Sequence, residues 1–337
     1  MPSYPIAQKR PHKITQHGQT RDDDFFWMRN REDPALLEYL NAENDYLEEV
    51  MQHTKPLQEQ LFEEMKARIK EDDESAPIKH GDYFYYTRTA TGQQYPYYCR
   101  KKVTLNAPEE IILDQNALSK GMAFCRIGAF SVSPDHQKLA YSVDPDGTEK
   151  CTLYIKDLNT GEHYPEHILN TWGDVYGHYG IEWANDNQTL FYATLDSTLR
   201  PYKIYRHTLG TETQKDALIY HEEDESFFLL LYKSRSQAFI MVYCLSTITS
   251  EWHILSADKP QSSFQVFEPR KRGHEYSIEH LGKRFFITSN ENALNFKLMQ
   301  TPIEATQHEH WREVIPHRED VLIQGMDAFK NHLVLYE

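Results

Sequence analysis

Three chemistries are within reach of the reactive side chains in this sequence: acyl transfer at a serine, metal ligation by imidazole or thiolate, and capture of cations by clustered carboxylates. Acyl transfer needs a strained turn of the form G-x-S-x-G, with a histidine and an acid in hydrogen-bond reach of the nucleophile. From Ser3 to Ser289, no serine has glycine two residues away on both sides. No catalytic residue is therefore assigned. Metal ligation has two starting points, His308-Glu309-His310 and the pair His163 and His167. With 17 histidines some close pairs follow from composition alone, and no third or fourth ligand stands beside either pair, so no metal is expected. Cys99, Cys125, Cys151 and Cys244 lack any C-x-x-C pairing and read as small buried hydrophobes rather than a disulfide framework or zinc knuckle. The acidic runs Asp22 to Asp24, Glu71 to Glu74 and Glu222 to Glu225 are candidates for attracting cations in charge only, and a solvated loop is the simpler reading of each. Gly173, Gly177 and Gly180 are followed by no helix bearing G-K-[ST], so they form no phosphate loop and are expected to be a mobile connection. No cofactor is expected.

Charge and hydropathy narrow the partners. A net charge of −15 lacks the basic footprint that nucleic acid requires. The longest apolar run, Phe227 to Tyr232, has the length of a strand and not of a membrane span, and the start MPSYPIAQKRPHK has no apolar core of a secretory signal. A cytoplasmic protein with neither nucleic acid nor membrane as partner is the expectation.

Two regions of different periodicity would have to position any site. In residues 1–75, Asp33-Pro34 has the form of a helix start, followed by Leu36, Leu37, Leu40, Leu47 and Met51 at helical spacing. A second helix is expected from about Pro56, with Leu57, Leu61, Met65 and Ile69 on one stripe that would fold back partly on the first. The run Glu71 to Ser75, closed by Pro77, marks a boundary. Over 76–337 helical periodicity gives way to a recurring phrase, a polar turn followed by a strand rich in Leu, Phe and Tyr. Its anchors Gly81, Asp135, Asp186, Ser236, Gly282 and Asn331 recur at intervals of 46 to 54 residues. A sustained period of that size, filled with short strands, is the signature of β-propeller blades. The fold class is mainly β, an incomplete propeller preceded by a helical arm.

Longer motifs carry a resemblance. Arg21 to Pro34, RDDDFFWMRNREDP, is similar to the segment that opens prolyl-oligopeptidase-family serine peptidases, with Phe26 and Met28 in place of the commoner Tyr and Leu. GQQYPYYCRKK from Gly92, FSVSPDHQKLAYSVDPDG from Phe130, LRPYKIYRHTLGT from Leu199, DESFFLLLYKSRSQAF from Asp224 and FEPRKRGHEYSIEHLGKRFFITSN from Phe267 resemble the oligopeptidase B branch. The resemblance implies a hydrolase that cleaves short peptides after Lys or Arg, with the arm packed on an α/β-hydrolase domain and a seven-bladed propeller restricting access. On that basis about five and a half blades are present, the chain ends before the catalytic triad, and the hydrolase domain is the missing partner. Short basic peptides would be bound only with that domain present. A free-standing propeller serving as an interaction module, or a non-functional truncated product, are the alternative readings.

Overall fold

The computed structural model describes residues 3–174 and 179–337; Gly177 of the glycine segment lies outside them. Contacts divide the chain into two compact units, Met1–Asp73 with Ala90–Gly92, and Glu74–Thr89 with Gln93–Glu337.

In the first unit, His12–Gln16 and Gln19–Asp23 pair as an antiparallel hairpin. Its two-residue turn, His17-Gly18, has positive φ at both positions, as the right-handed twist of paired strands demands. Helix α1 (Pro34–Met51) begins as the sequence indicates: the Asp33 carboxylate accepts the Ala35 N–H at 3.0 Å, and Pro34 sits where no N–H is needed. Arg10 joins this cap, bonding Asp33 at 2.7 Å while its guanidinium lies over the Trp27 ring. Helix α2 (Lys55–Ala67) follows a three-residue 3-10 turn, Gln52–Thr54. The expected fold-back of α2 on α1 is not realised. Met51, Gln52, Thr54 and Lys55 all keep right-handed helical dihedrals, so nothing reverses the chain. The stripe Leu57, Leu61, Met65 and Ile69 consequently remains exposed, together with Leu37, Leu40 and Leu47.

The second unit is built from antiparallel sheets in chain order. Sheet 1 comprises Ile78–His80, Tyr83–Arg88, Tyr97–Lys102 and Glu109–Asp114. Sheet 2 comprises Arg126–Val132, Lys138–Asp144, Cys151–Asp157 and His163–Thr171, and sheet 3 Ile181–Trp183, Thr189–Leu195, Pro201–Thr208 and Ala217–His221. A pairing of Thr171 with Thr194 joins these two. Sheet 4 runs through Phe228–Lys233, Phe239–Leu245, Ser250–Ser256 and Gln265–Val266, and sheet 5 through Tyr276–Leu281, Arg284–Ser289, Lys297–Pro302 and Arg312–Ile315. The hairpin Gly325–Phe329 with His332–Tyr336 forms sheet 6. All six anchors of the sequence repeat fall in the turns between the first and second strands.

Each sheet packs on the next through the alternation of its strands. On Thr189–Leu195, Leu190 and Tyr192 join the core shared with sheet 2, whereas Phe191 and Ala193 join the core shared with sheet 4. On Phe239–Leu245, Ile240, Val242 and Cys244 face sheet 3 and Met241 faces sheet 5. A period of two therefore presents an apolar residue at every position, because both faces are covered. The turns are latched as well. The Asp135 N–H donates to the Asn187 side chain at 2.8 Å and Asn185 donates to the Gln237 carbonyl at 3.1 Å, so successive anchor turns of sheets 2, 3 and 4 bond one another. The first strands of sheets 2, 3 and 4 adjoin in sequence, and that of sheet 5 adjoins that of sheet 6. This is a β-propeller with five four-stranded blades and the first hairpin of a sixth among the described residues.

Candidate functional site

One register position recurs in the first strands of sheets 2 to 6, which adjoin one another in sheets 2, 3 and 4 and again in sheets 5 and 6. Ser131, Glu182, Tyr232, Glu279 and Asp327 each pair with the second strand one step beyond its first core residue, opposite Ala140, Phe191, Met241, Phe286 and Val334 respectively. Three of the five are acidic.

Glu182 is only partly accessible to solvent. Burial pushes its carboxyl up to about 7, opposed by the Lys233 charge, by the Lys233 N–H donating to it at 3.0 Å, and by the Ser131 hydroxyl. Lys233 is itself lowered by burial, while Glu182, Asp258 and Asp186 work the other way. Its ammonium donates to the Asn185 side chain at 2.7 Å, and its charge also depresses His80 in sheet 1, after burial, which leads. Farther along, Arg235 reaches from the first turn of sheet 4 past sheet 5 to Asp327 in sheet 6, at 2.6 Å, and stacks on Phe329. Burial also raises Glu279, with Arg235 opposing. The hub can thus attract or hold charge, and among the described residues no histidine activates its one serine, Ser131.

Among the described residues, two serine–histidine contacts exist outside it. Ser236 Oγ lies 2.7 Å from His280 Nδ1, but the second ring nitrogen of His280 is buried without a hydrogen-bond partner, so no acid orients the imidazole. Ser289 lies 2.9 Å from His274, and both are buried away from any substrate. Neither has the arrangement of an activated nucleophile.

The histidines singled out in the sequence are engaged elsewhere. His163 Nε2 contacts the Tyr141 hydroxyl at 2.7 Å, His167 packs edge-on against Tyr154, and a register irregularity separates the two. His308 pairs with Glu291, whereas His310 pairs with its neighbour Glu309. Among the described residues, the grouping with metal-ligating atoms close together is a different one, Cys244, Glu251 and His253, within 4.8 Å of one another. Arg270 already bonds Glu251 there at 2.9 Å and Glu222 at 2.5 Å, so a guanidinium fills the place a cation would take. Hydrogen bonds from His253 and Arg270 outweigh burial and hold Glu251 down to about 2. Glu222 is thus buried in an ion network, contrary to the solvated loop expected of its run; Asp224 in the same run accepts the Ser226 N–H and hydroxyl. In the other runs, Asp24 pairs with Lys9 and Asp72 receives Thr91. The four cysteines are free and buried, and burial pushes the Cys99 thiol up to about 12. Sequence reasoning missed Glu182, Glu279 and Asp327. The signal available for them was their position two to four residues before each repeating turn.

The class is defined by these sheets and by comparison with known proteins. Residues 4–337 match the family model for the prolyl oligopeptidase N-terminal beta-propeller domain, and the chain belongs to that family. Among curated relatives it is 36% identical to Protease 2 of Moraxella lacunata over 96% of its own length, and 37% identical to dipeptidyl aminopeptidase BI of Pseudoxanthomonas mexicana over 99%. In both cases the chain spans about half of the relative's length, 48%. Oligopeptidase B from Leishmania major superposes with a TM-score of 0.90 at 31% identity, covering 99% of this chain and 49% of that one. No helix among the described residues is long and apolar enough to cross a membrane.

Proposed function

We propose that this chain is the access-restricting propeller portion of a cytoplasmic, oligopeptidase B-like serine peptidase that hydrolyses short peptides after Lys or Arg. The chemistry would be done by an α/β-hydrolase domain, on the same polypeptide or a separate one, against which the exposed leucine stripe of α1 and α2 would pack. The observation that carries this reading is the match of residues 4–337 to the propeller half of the family, at close structural likeness to oligopeptidase B. The acids Glu182, Glu279 and Asp327, which outnumber their cations Lys233 and Arg235 at this register position, are compatible with a basic substrate.

The test is reconstitution. The chain is mixed with a separately produced hydrolase half from the Moraxella relative, and cleavage of a fluorogenic peptide ending in Arg is followed. Turnover should require both halves, disappear with a serine-directed inhibitor, and exclude a folded protein substrate. Turnover by this chain alone, or a reconstituted enzyme indifferent to the basic residue, would overturn the reading.

A further inference from the structure

Between sheets 1 and 2 lies a cleft of about 550 Å³ whose lining runs against the charge of the whole molecule. Arg100, Lys102 and Lys156 contribute three cations, and Glu110 is the acid among the lining residues. In a chain of net charge −15, this is a local reversal of sign.

The reversal is built in. Arg100 is held deep in the wall: its guanidinium bonds Glu110 at 2.7 Å and the His136 carbonyl at 2.6 Å, and it lies over the Tyr83 ring. Lys156 projects from the third strand of sheet 2 toward sheet 1, where its ammonium donates to the Ile112 carbonyl at 3.1 Å. It meets no carboxylate among the described residues, and burial lowers its affinity for the proton. Asp157, its neighbour in sequence, turns its Oδ1 to the N–H groups of Asn159 and Thr160 instead. Lys102, at the exposed mouth, has its ammonium over the Tyr83 ring and pairs with no carboxylate among the described residues. An ammonium that is half-buried without a counter-ion is costly to keep, and the cost is relieved by an anion in the cleft.

We propose that this cleft is a binding site for a small phosphorylated compound carrying two phosphate groups. Glu110 neutralises one of the three cations, which leaves two positive charges for the ligand to meet. The volume suits a compact molecule, being near the middle of the range for small-ligand clefts, about 300–1,000 Å³. Lys156 and Lys102 supply point-charge contacts to phosphate oxygens at the floor and the mouth, and Arg100 fixes the wall between them. The site is independent of the peptidase reading, because it uses neither the hub nor the hydrolase half.

Calorimetric titration of the full chain with inorganic pyrophosphate tests it, with citrate titrated in parallel. Pyrophosphate should bind with millimolar or better affinity, weaken with added salt, and outcompete citrate. Lys156→Gln and Lys102→Gln should each weaken binding about ten-fold, the size expected of one charge-assisted hydrogen bond. Lys203→Gln, on sheet 3, should leave it unchanged. Lys102 lies at the surface, so its variant reports on the site even where the substitution of Lys156 disturbs folding. Absence of pyrophosphate binding, or equal binding by Lys102→Gln, would overturn the proposal. Tighter binding of citrate would assign the cleft to a polycarboxylate and overturn the phosphate reading.

Discussion

Glu182→Gln isolates the electrostatics of the hub. In the folded protein, burial raises the Glu182 carboxyl from its ordinary 4.5 to about 7. At 1.36 kcal/mol per pH unit, keeping it ionised costs the fold about 3 kcal/mol relative to the unfolded chain. The sign follows from proton binding: between 4.5 and 7 the folded state holds the proton and the unfolded state releases it, so stability falls as pH rises through that window. Gln keeps an acceptor for the Lys233 N–H and cannot titrate. Urea unfolding of both proteins at several pH values from 5 to 8 should therefore show a wild-type stability that declines by about 3 kcal/mol more than the variant's. The gap should stop growing above pH 7, while Lys233 keeps its charge. Parallel profiles across the window would refute the account of Glu182 as a carboxylate that burial disfavours. A gap opening in the opposite direction would mean that Lys233 over-compensates it.

Replacing Arg270 with Met should destabilise the chain by about 3–5 kcal/mol, because Glu222 and Glu251 would be left buried without their cation. The wild-type protein should also lose stability as pH falls from 4.5 toward 2, where Glu251 takes up a proton, and denaturant curves for Arg270→Met should show less of that acid-dependent loss. A Cβ added at Gly173 would overlap the backbone carbonyl of Gly128 in sheet 2, so Gly173→Ala should cost about 3 kcal/mol by urea denaturation. Ellman's reagent should leave all four cysteines unmodified in the native protein and react with them once it is unfolded, since burial keeps the thiols neutral and covered.

The repeat was legible because turn chemistry is local. Ser133-Pro134-Asp135 or Asn185-Asp186 announces a hairpin whatever surrounds it, and a fixed spacing between such phrases implies a repeated unit. The first helix was legible for the same reason, since Asp33 and Pro34 act on the residues beside them. That α2 continues on from α1 without folding back was not, because hydrophobic spacing states which face is apolar but not what will cover it. Charge runs misled in a similar way. Glu222 reads as one of four consecutive acids, yet Arg270, 48 residues later, bonds it and its neighbours stay at the surface. The hub acids were invisible for the complementary reason. Each stands singly in its own strand, and Glu182 acquires its meaning from Lys233 in the next sheet, 51 residues on.

Second strands that are apolar on both faces tie each inner blade, such as sheets 3 and 4, to two others at once. A disturbance at Phe191 is felt in sheet 4, whereas one at Leu190, its neighbour, is felt in sheet 2. Stability in such an arrangement is a sum of nearest-neighbour couplings, so melting should travel along the series rather than strike each sheet separately. Amide protons of sheets 3 and 4 are the natural last refuge against exchange with solvent. Those of the Gly325–Phe329 hairpin, where alternate residues already face water, should be among the earliest to be replaced.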